Sequence, residues 1–227
     1  MGGTAALYGG DSPSGRFTER LVGLEHWDPS RRKWVLYQTQ QQHAEDCAQY
    51  PFERIPHRVF LETNVVNLLV KHREPVFEQA ALPSDLDHTT ALDTEALMHV
   101  FHVGARANWD ILVSRKTLDE IGQTPDADVR EELLDYAAQL VELPSEDSAF
   151  AASFGRRLVD APFVSALPDL ADRELIGNAI GFGCDVFCTC DRRTIVRKRE
   201  RLQQLPLRIL TPVEWWAHVK PWGGLWA

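Results

Sequence analysis

Glu62, Glu120, Asp172 and Asp191 are the residues of this sequence whose setting points to chemistry, because each follows a short apolar run or lies in a helix that leaves or feeds one. Glu62 follows Val59-Phe60-Leu61. Glu120 lies in a helical stretch entered directly from Ile111-Leu112-Val113. Asp172 falls in the first turn of a helix predicted over 170–183, and Asp191 comes just after Val186-Phe187-Cys188-Thr189. Asp172 precedes Leu175 and Ile176 by a helical turn, which puts its carboxylate on the inward face. Carboxylates gathered this way repel: two charges ~4 Å apart cost about 4 kcal/mol at an effective dielectric near 20. Protons, arginines or a divalent cation must offset that. An oxygen-rich acidic site suits Mg2+ or Mn2+, and such an ion can activate water for in-line attack on a phosphodiester. No Ser or Cys nucleophile motif is visible.

The elements that must position these acids alternate in type. Short apolar runs at 59–61, 111–113, 141–143, 186–189 and 207–210 read as strands, with helical patterns between them. Helices are expected over 94–107, 117–121 and 129–139. Two more are expected from Ser145 through Leu158 and over 170–183, the last ended by Gly183. This alternation predicts an α/β domain with a largely parallel five-stranded sheet. Ligands of such sheets sit outside the carboxyl ends of the strands, which is where the acids fall. Residues 57–227 form this domain in the present reading, and 1–56 form an N-terminal extension. Within the extension, 1–15 are Gly- and Ser-rich and expected to be mobile. Residues 32–38 could be a strand entered through the Asp28-Pro29-Ser30 turn, and 40–50 a polar helix. Residues 74–92 read as an acidic surface loop. No internal repeat is visible.

The bulk numbers set limits on function. The chain has 227 residues, 44% hydrophobic and 25% charged, ordinary globular usage that supports a core without disulfides. A net charge of -9 with pI ≈ 5.4 argues against a general DNA-coating protein but leaves room for a nuclease with an acidic pocket. The charge is uneven: Arg192, Arg193, Arg197, Lys198, Arg199, Arg201 and Arg208 cluster with only Glu200 among them. No apolar run approaches the ~20 residues of a membrane helix, and the start does not read as a signal peptide. The expectation is a cytoplasmic protein with no membrane partner. Cys47, Cys184, Cys188 and Cys190 read as reduced, buried thiols rather than a zinc site, since a strand would point such ligands in divergent directions.

Several motifs together resemble one family. Val59-Phe60-Leu61-Glu62-Thr63-Asn64-Val65-Val66 is similar to the opening of PIN-domain nucleases, an apolar run followed by Asp-Thr-Asn. Val113 to Ile121, ending in the acidic Glu120, resembles the second motif, and Ala171-Asp172 to Ala179 the third. Phe187-Cys188-Thr189-Cys190-Asp191 resembles the fourth, and Ile209 to Glu214 fits the closing strand and helix. Each motif is weak alone; the order, spacing and strand-end context shared across about residues 57 to 217 make the resemblance. It implies a Mg2+- or Mn2+-dependent nuclease, often a ribonuclease acting on single-stranded RNA, with Glu62, Glu120, Asp172 and Asp191 as metal-binding acids. Asn64 and Thr189 would be supporting polar residues that orient a carboxylate or water. Many bacterial members are toxins, so an antitoxin-type protein is a candidate partner beside RNA, as is a second copy in a homodimer. The family's first acid is Asp; Glu62 is one methylene longer and its oxygens reach further.

Plainer roles compete for these residues. Asp169 after Pro168 can cap the helix that carries Asp172, leaving Asp172 at a position favourable to the helix dipole. Asp119 competes with Glu120, and Asp191 could simply start a turn. The basic run could be a solvated helix face, although Arg192, Arg193 and Arg197 beside Asp191 are candidates for phosphate contacts. Trp215, Trp216, Trp222 and Trp226 read as core or tail packing, and His99 and His102 as structural. A non-catalytic RNA-binding scaffold and a structure-specific DNA nuclease are the rival functions.

Overall fold

Four of the apolar runs pair as strands in the computed structural model, which describes residues 25–28, 33–36 and 39–226 apart from 79, 105, 108 and 141–144. The chain divides into two compact units. One takes in 56–72 and 109–212, the other 1–55, 73–108 and 213–227.

The first unit carries the sheet. Its strands are β3 (Arg58–Leu61), β4 (Asp110–Leu112), β5 (Val186–Cys188) and β6 (Arg208–Leu210), all parallel, in the order β4-β3-β5-β6. The sheet thus has four strands among the described residues, not the expected five. The remaining candidate, 141–143, is a Val-Glu-Leu run between two helices and lies outside the described residues. Helices α2 (Thr63–Lys71), α5 (Arg115–Ile121), α6 (Ala127–Leu140), α7 (Ser145–Leu158) and α8 (Leu170–Gly181) make the connections. Phe60 and Phe187 stack on neighbouring strands with ring centroids 5.5 Å apart and join Leu175, Ile176, Ala179 and Ile195 in one buried core. Asp185 ties down the amino ends of the strands, accepting from the backbone of His57 and Arg58 at 2.9 Å each. β3 pairs with β4 on one side and β5 on the other, so the crevice of a topological switch opens at its carboxyl end.

Helix α8 begins where Asp169 caps it, accepting from the Ala171 amide at 2.9 Å, and ends at Gly181, two residues short of the expected end, with Gly183 beyond its cap in the left-handed conformation (φ 68). It lies against α7 with almost no side chain between them. A Cβ on Gly177 would fall 2.6 Å from Gly155 Cα, and one on Gly181 would fall 2.6 Å from Ala151 Cα.

The second unit holds a β1–β2 hairpin (Glu25–Asp28 and Lys33–Leu36, antiparallel) and helices α1 (Gln40–Gln49), α3 (Arg73–Glu78) and α4 (His88–Gly104). It also holds the chain from Val213 on, with most of α9 (Pro212–Val219) and a 3-10 turn over Lys220–Leu225. The expected loop over 74–92 is shorter than its acidity implied. Asp87 Oδ1 accepts from the amides of Thr89 and Thr90 at 3.1 Å each, so α4 starts at His88 rather than Thr94. The tryptophans pack internally: Trp215 is fully buried, Trp222 donates to the Tyr50 carbonyl at 2.8 Å, and Trp216 stacks on His99. Among the described residues no helix is long and apolar enough to cross a membrane.

Because the α7–α8 contact is backbone to backbone, Gly177→Ala should lower stability by about 1–3 kcal/mol. The expected reading is a lower urea midpoint at unchanged slope; an unchanged midpoint would show that the helices can separate freely.

Candidate functional site

Parallel pairing sets the site. The Glu62 amide donates to the Cys188 carbonyl at 3.0 Å and the Thr189 amide to the Leu210 carbonyl at 3.0 Å, each extending the ladder by one residue. Glu62 and Thr189 therefore leave neighbouring strands side by side. The Thr189 hydroxyl donates to Glu62 Oε2 at 3.2 Å and accepts from the Asp191 amide at 2.9 Å. Glu62 is also the residue from which α2 starts, and the next residue, Thr63, donates its hydroxyl to Glu120 Oε2 at 2.5 Å.

Glu120 and Asp172 sit on two helices that are fastened together. Ser114 caps α5 in a reciprocal capping box with Thr117, and its Oγ accepts from Asn178 Nδ2 of α8 at 3.2 Å. Lys116 approaches Glu174 at 3.9 Å in the same pair of helices. Asp172 occupies the first turn of α8, so its dipole role and its place among the acids coexist.

The charges of these acids act on one another. Burial pushes Glu62 up to about 7; the Asn64 amide and the Thr189 hydroxyl pull it down, while Asp172 and Glu120 push it further up. Burial likewise raises Asp172 to about 6, helped by the charges of Asp169, Asp191 and Glu120 and opposed by Lys198. Asp172 thus feels both Glu120 and Asp191, and Glu62 feels both Asp172 and Glu120. All four expected acids share one electrostatic neighbourhood.

The supporting residues are partly different from those expected. The side chain of Asn64 is exposed, and its contribution to Glu62 comes from the backbone amide. Thr63, in the same motif, supplies the side-chain bond, and its neighbourhood to Glu120 across a long stretch of sequence gave no local signal. Thr189 stands where expected. Asp119 is exposed, whereas Glu120 is the acid held by Thr63. Asp191 does start a turn: its Oδ1 accepts from the Arg193 and Thr194 amides at 2.9 and 2.8 Å, both through one oxygen. Arg193 and Arg197 are exposed and Arg192 is half-buried; Arg192 and Arg193 lie on turns leading into a 3-10 segment, Val196–Leu202, which carries Arg197 and is not an α-helix. Lys198, not singled out from the sequence, is the cation whose charge reaches Asp172. Cys184 and Cys188 are buried, while Cys47 and Cys190 are half-buried. His99 is structural, stacked on Trp216 and 3.7 Å from Glu95.

The donor chemistry of the cluster, all anionic oxygen with two carboxyls held above their ordinary range, suits a hard divalent cation. As the side chains stand, no group of three or more His, Cys, Asp or Glu among the described residues is close enough to hold an ion. Glu62 and Glu120 are each turned toward a threonine hydroxyl and Asp191 Oδ1 toward its own turn, so closing a ligand set requires side-chain rotation. Compared with family models, with curated proteins and with solved structures, the chain matches none of them.

The raised carboxyls give a pH signature. Glu62 binds its proton more tightly folded than unfolded, so in chelator the stability it contributes is complete below about 4.5 and lost as pH rises through about 7. The loss is on the order of 3 kcal/mol. Thermal melts in chelator should therefore fall across that window, and Glu62→Gln should flatten the fall. A variant with the wild-type slope would place the titration elsewhere.

Proposed function

We propose that this chain is a metal-dependent endonuclease of PIN type that hydrolyses phosphodiester bonds in single-stranded RNA. The observation that carries the reading is the side-by-side exit of Glu62 and Thr189 from β3 and β5, with the Thr189 hydroxyl joining Glu62 to the Asp191 turn and the Thr63 hydroxyl reaching Glu120. These carboxylates come from separate parts of the chain, and helix capping accounts for only some of them. Glu62, Glu120, Asp172 and Asp191 would hold Mg2+ or Mn2+. The bound ion would supply Lewis-acid activation of water and stabilisation of the leaving oxygen.

The protein's own groups divide the remaining work. The Thr189 and Thr63 hydroxyls donate to one oxygen each of Glu62 and Glu120, leaving the second oxygen of each to turn onto an ion. The Ser114–Asn178 bond keeps the helices of Glu120 and Asp172 in register. Arg193 and Arg197, exposed beyond Asp191, offset the repulsion that a net charge of -9 exerts on a polyanion.

Purified protein should cleave labelled single-stranded RNA in Mn2+ and not in chelator. Asp191→Asn should reduce the rate by at least about 100-fold. Absence of cleavage in Mn2+ with RNA binding intact would replace this reading with the non-catalytic scaffold. The two neighbours of Glu62 should also separate: Thr63→Val should weaken Mn2+ affinity by about 10–100-fold. Asn64→Ala should leave it near wild type, since its contact is through the backbone. Calorimetric titration measures both, and the reverse order would contradict the assigned roles.

A further inference from the structure

An exposed aromatic ring and a row of exposed arginines ride on two turns that share one core beside the acids. The 3-10 turn Pro162–Val164 packs against the basic 3-10 segment Val196–Leu202. Val164 and Leu167 on one side, and Ile195 and Leu202 on the other, are buried in the same cluster, which fixes the two turns to each other. Phe163, next to buried Val164, is nonetheless 38% exposed. Arg197 and Arg201 are exposed on the facing segment, and Arg193 on the turn that precedes it.

Both turns are tied to Asp172. Arg173, the next residue, reaches back into the loop that carries Phe163. It donates through Nε to the Leu167 carbonyl at 2.8 Å, through Nη1 to Val159 at 3.1 Å and through Nη2 to Ser165 at 3.5 Å. The Phe163 turn is thereby held within one arginine side chain of the acid's backbone. From the basic segment, the charge of Lys198 acts on Asp172. Leu170, 56% exposed at the start of α8, adds a second apolar side chain two positions before Asp172. A single exposed Phe needs no explanation. A Phe on a loop whose flanking carbonyls are held by the residue after Asp172, packed against a segment with exposed arginines, has the composition of a single-strand track, in which a ring takes a base and cations take the flanking phosphates.

We propose that Phe163 is a base-stacking platform at the rim of the acidic site, with Arg193, Arg197 and Arg201 engaging the neighbouring phosphates. The inference rests on the endonuclease reading and adds how the substrate class is selected. A ring that stacks on an unpaired base favours single strands over duplex, whose bases are already stacked on one another. It also predicts tolerance of sequence, because every base presents a π-face.

Fluorescence anisotropy tests this with the full chain in Ca2+. The probes are an oligouridylate of about ten nucleotides, a length within single-strand site sizes, the same backbone with abasic sites, and a duplex. Wild type should bind the oligouridylate about ten-fold more tightly than the abasic backbone. Phe163→Ala should erase that difference, and Phe163→Trp should keep it. Arg197→Glu should weaken both single-stranded probes alike and flatten the salt dependence. Discrimination retained in Phe163→Ala, or duplex bound as tightly as single strand, overturns the proposal. If wild type cleaves RNA in Mn2+ while Phe163→Ala binds like wild type, the stacking inference fails alone. If wild type neither binds nor cleaves, the endonuclease reading fails and this inference with it.

Discussion

Withdrawing carboxylates from water next to one another is unfavourable, and the surroundings of the sheet's carboxyl edge answer to that constraint. Glu62 is only 5% exposed, and two other acids push its carboxyl further toward the neutral form. The protein offsets part of this with donors placed by the backbone itself: the Asn64 amide at the start of α2 and the Thr189 hydroxyl on the adjacent strand. The Thr189 donor would not be available without the parallel register that sets Leu61 opposite Cys188. The sheet supplies the hydrogen bonds as well as the positions, and a slip of one residue would turn Glu62 away from Thr189.

The same economy governs the helices. Ser114 works twice, capping α5 and receiving Asn178 from α8, so the end of one helix is fastened to the middle of another. Arg173 works in a similar way on the other side of α8, spending its guanidinium on three loop carbonyls. Buried polar groups satisfied across elements in this manner hold a geometry more tightly than apolar packing, because each has few alternative partners.

Much of this was legible from residue order alone. The strands β3 to β6 followed from short apolar runs, the end of α8 to within two residues from Gly183, and its start from Asp169, because these signals are local. The placing of Glu62 and Asp191 just past neighbouring strands also followed, since parallel strands send their carboxyl ends to one edge. What escaped was set by tertiary distance. Thr63 and Asn64 are adjacent, and only the orientation of α2 decides which side chain meets Glu120. Lys198 acts on Asp172 through a 3-10 segment where an α-helix was expected, which changes the face each cation presents. The association of the N-terminal segment with the C-terminal tail, through Tyr50 and Trp222, joins residues from opposite ends of the chain and leaves no periodic trace.

The contact between α7 and α8 has a consequence for how this protein can change over generations. Where Gly155 meets Gly177 and Ala151 meets Gly181, no side chain mediates between the two backbones, so there is nothing to repack. The line of small residues is closed to drift, while the opposite flank of α7, where Phe150 is largely exposed, stays open to it. A lineage could remodel that outer flank extensively, acquiring or losing surface character, and Asp172 would keep its address.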